Sequence, residues 1–222
     1  MIKHTTLGEH VYEGIRQEIM TGKYLPGERL FLDAIAKRMG VSMTPVKEAF
    51  LMLEQEGLVV SVARKGTFVR EITEKDIVEY YQLRLALESL AVDLICLDGA
   101  YLSHETADVM NAICDVQETL LKDGNAAQLV QEDDKFHRQL FLAGQNQLLM
   151  RIAATQQLTN ILNLMQKTAV YLEEGKSFVT EHRRMVKMLQ KGAADSVKSL
   201  LAMHMSVGET LMLKGVRLFT AK

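Results

Sequence analysis

Four side chains able to ligate a metal interrupt apolar helical faces in the second half of the sequence. Over residues 126–143 the inward stripe is Leu129, Phe136 and Leu140, and Asp133 and His137 fall on it. They lie four residues apart, so they stack on one face of a helix. Over 177–191 the stripe is Phe178, Val186 and Leu189, with His182 inside it. Over 193–218 it is Val197, Leu200, Leu201 and Leu211, with His204 inside it. An unpaired charge in such surroundings is costly, so these groups need partners. A shared divalent ion would satisfy all four. A polar core network would also do so, with Asp133 and His137 as a simple ion pair. His4, His10 and His104 fall in loops or near helix starts, so inward placement is not the rule for histidine here.

A second constellation lies near the N-terminus. Val46, Phe50 and Leu53 form the buried face of a helix and leave Ser42, Met43, Thr44 and Lys47 on its open face. Early helix residues placed this way can reach base edges or phosphates in a major groove. Arg64, Lys65 and Gly66 follow at a hairpin tip, where the basic pair can meet phosphates or a minor groove. Lys37 and Arg38 sit on the preceding helix. Each residue alone is an ordinary solvated surface residue; their order along the chain points to double-stranded DNA.

These residues are carried by two different kinds of chain. Val11, Ile15 and Ile19 share a helical face, and Pro26-Gly27 breaks it. A short helix places Leu32, Ile35, Ala36 and Met39 inward, and Gly40-Val41-Ser42 turns the chain. Ser42 or Thr44 can cap the next helix, and Pro45 suits its first turn because no N–H is needed there. Leu58–Val62 and Gly66–Arg70 read as strands. Three helices and a β-hairpin make a winged helix-turn-helix. Both prolines lie in this part, and beyond residue 73 the pattern is helical throughout. The expected fold is therefore mostly α: a winged helix-turn-helix over 1–72, then an all-α antiparallel bundle over 73–222. Its helices are expected near 74–98, 103–123, 126–143, 146–172, 177–191 and 193–218, with Asp123-Gly124, Gly144, Gly175 and Gly192 between them. Thr73 to Asp76 resembles a capping box at the start of the first.

Bulk composition adds exclusions more than identity. Net charge is −2 over 222 residues, with ten basic and nine acidic side chains in 1–72 and sixteen and nineteen after it. A DNA reading must therefore rest on where charges sit. No apolar run approaches the roughly 18 residues of a membrane span, and the first residues lack the apolar core of a secretory signal. Two cysteines without a CxxC suit a reduced, cytoplasmic setting. The 13 methionines, mostly at helical spacing, suit core and adaptable pocket lining.

Residues 11–70 resemble the GntR family of bacterial repressors. The resemblance is carried by Ile15–Ile19, GKYLPGERL at 22–30, GVSMTPVKEAF at 40–50, LEQEGLV at 53–59 and RKGTFV at 64–69. Met43 and Lys47 stand where that family carries arginine. A bidentate Arg–guanine contact is worth about 1–3 kcal/mol of discrimination, so the departures imply a different operator preference or weaker binding. Residues 73–222 resemble the FCD effector domain of the FadR subfamily. Arg84 and Glu88 match its first-helix pattern, and Asp133, Phe136 and His137 match its D-x-x-F-H motif. Glu181-His182 and His204 match its later ligand positions.

The resemblance implies a homodimer that binds a palindromic operator and holds a divalent metal on Asp133, His137, His182 and His204. Such a ligand set leaves coordination positions open and suits Zn, Ni or Mn. A small carboxylate effector would fill the open positions and pair with Arg84. For Arg84 the plain alternative is a salt bridge with Glu88; Asn146 matches a family asparagine, and its plain alternative is an N-cap of the next helix. Two other uses of the Asp/His set stay open. One is a metal-dependent hydrolase or isomerase, although no HExxH is present and Glu181 points about 100° away from His182 on its helix. The other is a metal that is structural, or is itself the signal.

Overall fold

The structure, a computed structural model, describes residues 6–155 and 170–220. The chain divides into two compact units, Met1–Ile72 and Thr73–Lys222.

In the first unit α1 (Leu7–Met20) precedes β1 (Arg29–Leu30), α2 (Leu32–Met39), α3 (Met43–Gln55), β2 (Val59–Val62) and β3 (Gly66–Val69). A capping box starts α1: the Thr6 hydroxyl accepts from the Glu9 N–H at 3.1 Å, and the Glu9 carboxylate accepts from the Thr6 N–H at 2.7 Å. Val11 and Ile15 of α1 pack with Ile35, Val46, Phe50 and Leu53 in one core. Each such side chain contributes roughly 1.5–3 kcal/mol when fully buried. At the edge of that contact Glu56 accepts from Tyr12 Oη at 2.7 Å and from Arg16 Nε at 3.0 Å. The left-handed Gly40 (φ 67°) ends α2. Ser42 takes the N-cap position of α3, without a side-chain cap bond, and Pro45 sits in the first turn.

The sheet has three antiparallel strands in the order β1-β3-β2. Two of them are the expected hairpin. The two-residue β1, which pairs Arg29 with Phe68 and Leu30 with Thr67, was not anticipated. It is too short to carry an alternating pattern.

The second unit contains, among the described residues, α4 (Glu74–Ile95), a 3₁₀ turn (Leu97–Gly99), α5 (His104–Lys122), α6 (Ala126–Ala143), α7 (Gln147–Thr155), α8 (Val170–Leu189) and α9 (Ala194–Thr220). The box at the start of α4 forms, with Thr73 and Asp76 bonding reciprocally. α4 packs on α9 and α6, and α5 on α6 and α8, so α4, α6, α8 and α9 surround a common interior. The helix expected over 146–172 is seen as α7 to Thr155; its stretch over 156–169 lies outside the described residues. One expectation is corrected. Gly175 does not separate two helices but lies inside α8. A Cβ there would overlap Leu121 Cδ2 on α5 and come within 3.4 Å of Leu129 Cδ2 on α6. This glycine permits close helix packing and does not mark a break.

Candidate metal centre and nucleic-acid interface

The inward polar residues of α6, α8 and α9 converge. Ligand atoms of Asp133, His137, His182 and His204 all lie within 4.8 Å of one another, and all four residues are buried. Asp133 and His137 come from one face of α6, as four-residue spacing requires. Phe136 stacks on the His182 ring at 3.9 Å between centroids, and Phe178 packs edge-on against His204 at 4.7 Å.

The outer nitrogen of each imidazole is engaged. His137 Nδ1 lies 2.6 Å from Glu88 Oε2, His182 Nδ1 3.1 Å from Gln117 Oε1, and His204 Nδ1 2.8 Å from Glu181 Oε2. Burial alone would raise the carboxyls of Glu88 and Glu181. Contacts with His137 and Arg84 outweigh it at Glu88, and those with His204, Ser177 and Arg184 do so at Glu181, so both are held below the usual carboxylate range. Ionised carboxylates and amide oxygens only accept, so each Nδ1 carries the hydrogen. In a neutral ring Nε2 is then a bare lone pair. His137 Nε2 and His204 Nε2 stand 3.2 Å apart, within hydrogen-bond distance, and His182 Nε2 lies 3.5 Å from Asp133 Oδ1. Burial, then His204, His137 and Arg84, push the His182 pKa well below its usual value. Burial also lowers that of His204, with His137 and Arg84 adding to it against the pull of Glu181 and Asp133. Both are therefore held as neutral, ligand-ready rings.

His137 Nε2 and His204 Nε2 can share one hydrogen, but a buried acceptor without a donor costs about 1–3 kcal/mol. Asp133 Oδ1 and His182 Nε2 have no hydrogen-bond partner among the described residues. One divalent cation among the four donors removes that penalty, so the residues present fit such an ion. A purely hydrogen-bonded core fits less well, because it leaves Asp133 Oδ1 and His182 Nε2 without a donor among the described residues.

Arg84 borders this centre. Its Nε donates to Glu88 Oε1 at 2.6 Å and its Nη1 to Tyr80 Oη at 3.0 Å. Its Nη2 is buried, has no hydrogen-bond partner among the described residues, and lies 3.8 Å from Asp133 Oδ2. The salt bridge with Glu88 therefore forms and still leaves a donor to spare. Asn146 accepts from the Leu149 N–H at 3.0 Å, as an N-cap of α7 would. Glu181 points away from the metal-facing nitrogens, as its angle implies, yet it reaches the back of His204. Gln117 was not singled out from sequence. It interrupts the buried face of α5 between Cys114 and Leu120, the same signal that marks the histidines.

In the first unit Ser42, Met43, Thr44 and Lys47 are all exposed around the start of α3, while Pro45 and Val46 are buried behind them. Arg64 and Lys65 are exposed at the hairpin tip, Arg64 at φ 63°, and Gly66 follows at φ 110°. The Gly66 conformation is one that L side chains rarely adopt. A Cβ there would also meet Arg29 Nε at 2.9 Å. Arg29, exposed and lying over the Phe31 ring at 4.9 Å, is a third basic group on the wing that the sequence reading did not single out.

Residues 7–69 match the model for bacterial regulatory proteins of the gntR family, and residues 79–207 match the FCD domain. A transcriptional regulator of Bacillus subtilis, YdhC, is 28% identical over 87% of this chain and 85% of its own length. A probable D-xylose utilization operon transcriptional repressor of Paenarthrobacter nicotinovorans is 29% identical over 92% and 88%. Among solved structures, Escherichia coli McbR/YncC superposes with a TM-score of 0.73 at 18% identity, over 94% of this chain and 98% of that one. A regulator from Rhodococcus sp. RHA1 does so with 0.73 at 22%, over 93% and 97%. The relatives are regulators of transcription, which removes the enzyme reading of the Asp/His set.

Proposed function

We propose, from the premise that the chain belongs to the gntR family of bacterial regulatory proteins that carry an FCD domain, that it is a repressor whose grip on its operator is set by a small organic acid beside a divalent metal. Residues 1–72 hold the DNA and residues 73–222 sense and dimerise. The observation that carries the reading is the unsatisfied polarity of one buried point: Asp133 Oδ1, His182 Nε2 and Arg84 Nη2 lack hydrogen-bond partners among the described residues.

Asp133, His137, His182 and His204 would hold the ion, as Zn, Ni or Mn, and when bound it supplies open coordination positions for an oxygen ligand. Arg84 presents its spare Nη2 to the same space. A carboxylate joining it gains a charge-assisted bond worth about 1.5–3 kcal/mol. Repression is favoured over activation by the named D-xylose operon repressor, which also suits a sugar-derived acid as effector.

The α4 helix carries Arg84 and follows the wing strand after a four-residue link. A ligand that prefers one setting of α4 by 10–100-fold shifts the equilibrium by about 1.4–2.7 kcal/mol. Two copies must present their α3 helices at the half-site spacing of a palindrome, so a small change weakens binding. A second copy is supplied with a surface. Leu83, Leu90 and Leu97 are 48%, 45% and 57% exposed, and Leu87 and Leu94 between them are half-buried. Leu83, Leu87, Leu90 and Leu94 keep an alternating four- and three-residue spacing along α4, with Leu97 just beyond it in the 3₁₀ turn, and such a heptad stripe suits a partner helix.

On DNA, Ser42, Met43, Thr44 and Lys47 enter the major groove, and Arg64, Lys65 and Gly66 track the backbone. The test is a mobility-shift titration with the DNA upstream of the protein's own gene, in metal-loaded protein, against a panel of small hydroxy and sugar acids. Operator binding that one acid relieves, and that Arg84→Ala makes insensitive to it, is the expected result. No retarded band at low salt would count against the reading.

A further inference from the structure

We infer that Glu88, Gln117 and Glu181 are positioning residues that preset the three imidazoles for a cation, and that Glu88 also ties the His137 ring to the Arg84 guanidinium. The inference rests on the metal reading proposed above.

The three acceptors come from three helices, α4, α5 and α8, yet each meets the same atom, Nδ1, of a different histidine. A neutral imidazole left alone divides between two tautomers and turns about its ring bond. An acceptor behind Nδ1 removes both freedoms and leaves the Nε2 lone pair aimed inward. Partners of this kind are typically worth 10–100-fold in metal affinity.

The three are not equivalent. Glu88 and Glu181 are carboxylates at 2.6 and 2.8 Å, and Gln117 is a neutral amide at 3.1 Å. Charge-assisted bonds are the stronger, and they make the ring a better donor. His137 and His204 are thus the electron-rich ligands. His182 has the weaker acceptor and takes its orientation from the stacked Phe136 ring at 3.9 Å and 15°.

Glu88 has the further role. Its Oε2 meets His137, and its Oε1 accepts from Arg84 Nε at 2.6 Å. One rigid carboxylate therefore sets both a metal ligand and the cation beside it. If an anion draws on Arg84, the strain falls on the group that orients His137. Metal affinity and anion affinity are then linked, and linkage is reciprocal.

Glu88 is wholly buried beside Arg84, so its loss endangers folding. Glu181 is partly exposed and allows a cleaner test. Full-length protein, stripped of metal, is titrated with Zn²⁺ against a chromophoric chelator, and histidine tautomers are read by ¹⁵N NMR in the metal-free state. Glu181→Ala should still take up one equivalent, about 10–100-fold more weakly, with the His204 ring divided between tautomers. Glu181→Gln, which keeps an acceptor, should restore the tautomer and fall between the two in affinity. Wild-type affinity and a single tautomer in Glu181→Ala would overturn the inference, as would a lower melting temperature with both readouts unchanged. If wild-type protein takes up no Zn²⁺, the metal reading itself fails.

Discussion

His182 shows how the surroundings of one side chain determine its chemistry. Its ring is buried, stacked on Phe136 and neighboured by two further imidazoles, so a proton is refused and a lone pair is kept. The same logic governs the loss of a ligand. His137→Ala removes one donor and leaves the buried Glu88 carboxylate with only Arg84. Metal uptake should fall below one tenth of wild type by elemental analysis, and the metal-free protein should lose about 1–3 kcal/mol in a urea melt. Cys114 tests the burial of the core independently. Burial is the largest of the effects that push its thiol up to about 11. At pH 8 a thiol-reactive dye should label Cys114 only after denaturation. The four converging side chains were legible as an inward polar set because each breaks an apolar stripe. Gln117 breaks one too, but an amide is a poor metal ligand and drew no attention. Glu181 was judged by its angle to His182, whereas its partner His204 lies on another helix, which no local spacing reveals.

At the scale of elements, helix starts and faces were legible and the roles of glycines were only partly so. Local rules put Thr73 at the head of α4 and Asn146 at the head of α7, because cap chemistry lies within a few residues. Gly175 misled for the opposite reason: what it accommodates, Leu121, lies more than fifty residues earlier in the sequence. Gly175→Ala should therefore destabilise by about 1–3 kcal/mol, although alanine is the better helix former. A rise in melting temperature would show that helix propensity, not packing, governs this position. In the first unit the Tyr12–Glu56 bond joins α1 to the end of α3. Burial first, then the Glu56 hydrogen bond, raise the Tyr12 pKa from 10.0 to about 12. The unfolded chain thus loses this proton at a lower pH than the native one. The contribution is complete below pH 10 and is lost as pH rises through 10 to 12. Over that interval Tyr12→Phe should lose less stability than wild type in urea melts.

At the scale of the molecule, the order of units was readable from the confinement of prolines and strands to the first 72 residues. The proposed dimer would use the exposed leucines of α4, Leu83 and Leu90. Leu90→Glu should convert the dimer to monomer by sedimentation and weaken operator binding. Lys47→Ala should weaken binding to all sequences and reduce the salt slope by about one. Neither outcome depends on the proposal that this DNA-binding chain carries a metal-centred sensor. Crystals of Zn²⁺-loaded protein, measured across the zinc absorption edge, test that claim most directly. A single anomalous peak within bonding distance of Asp133 Oδ and of His137, His182 and His204 Nε2 is the result expected. Zinc elsewhere, with the four side chains paired only to protein groups, would contradict it.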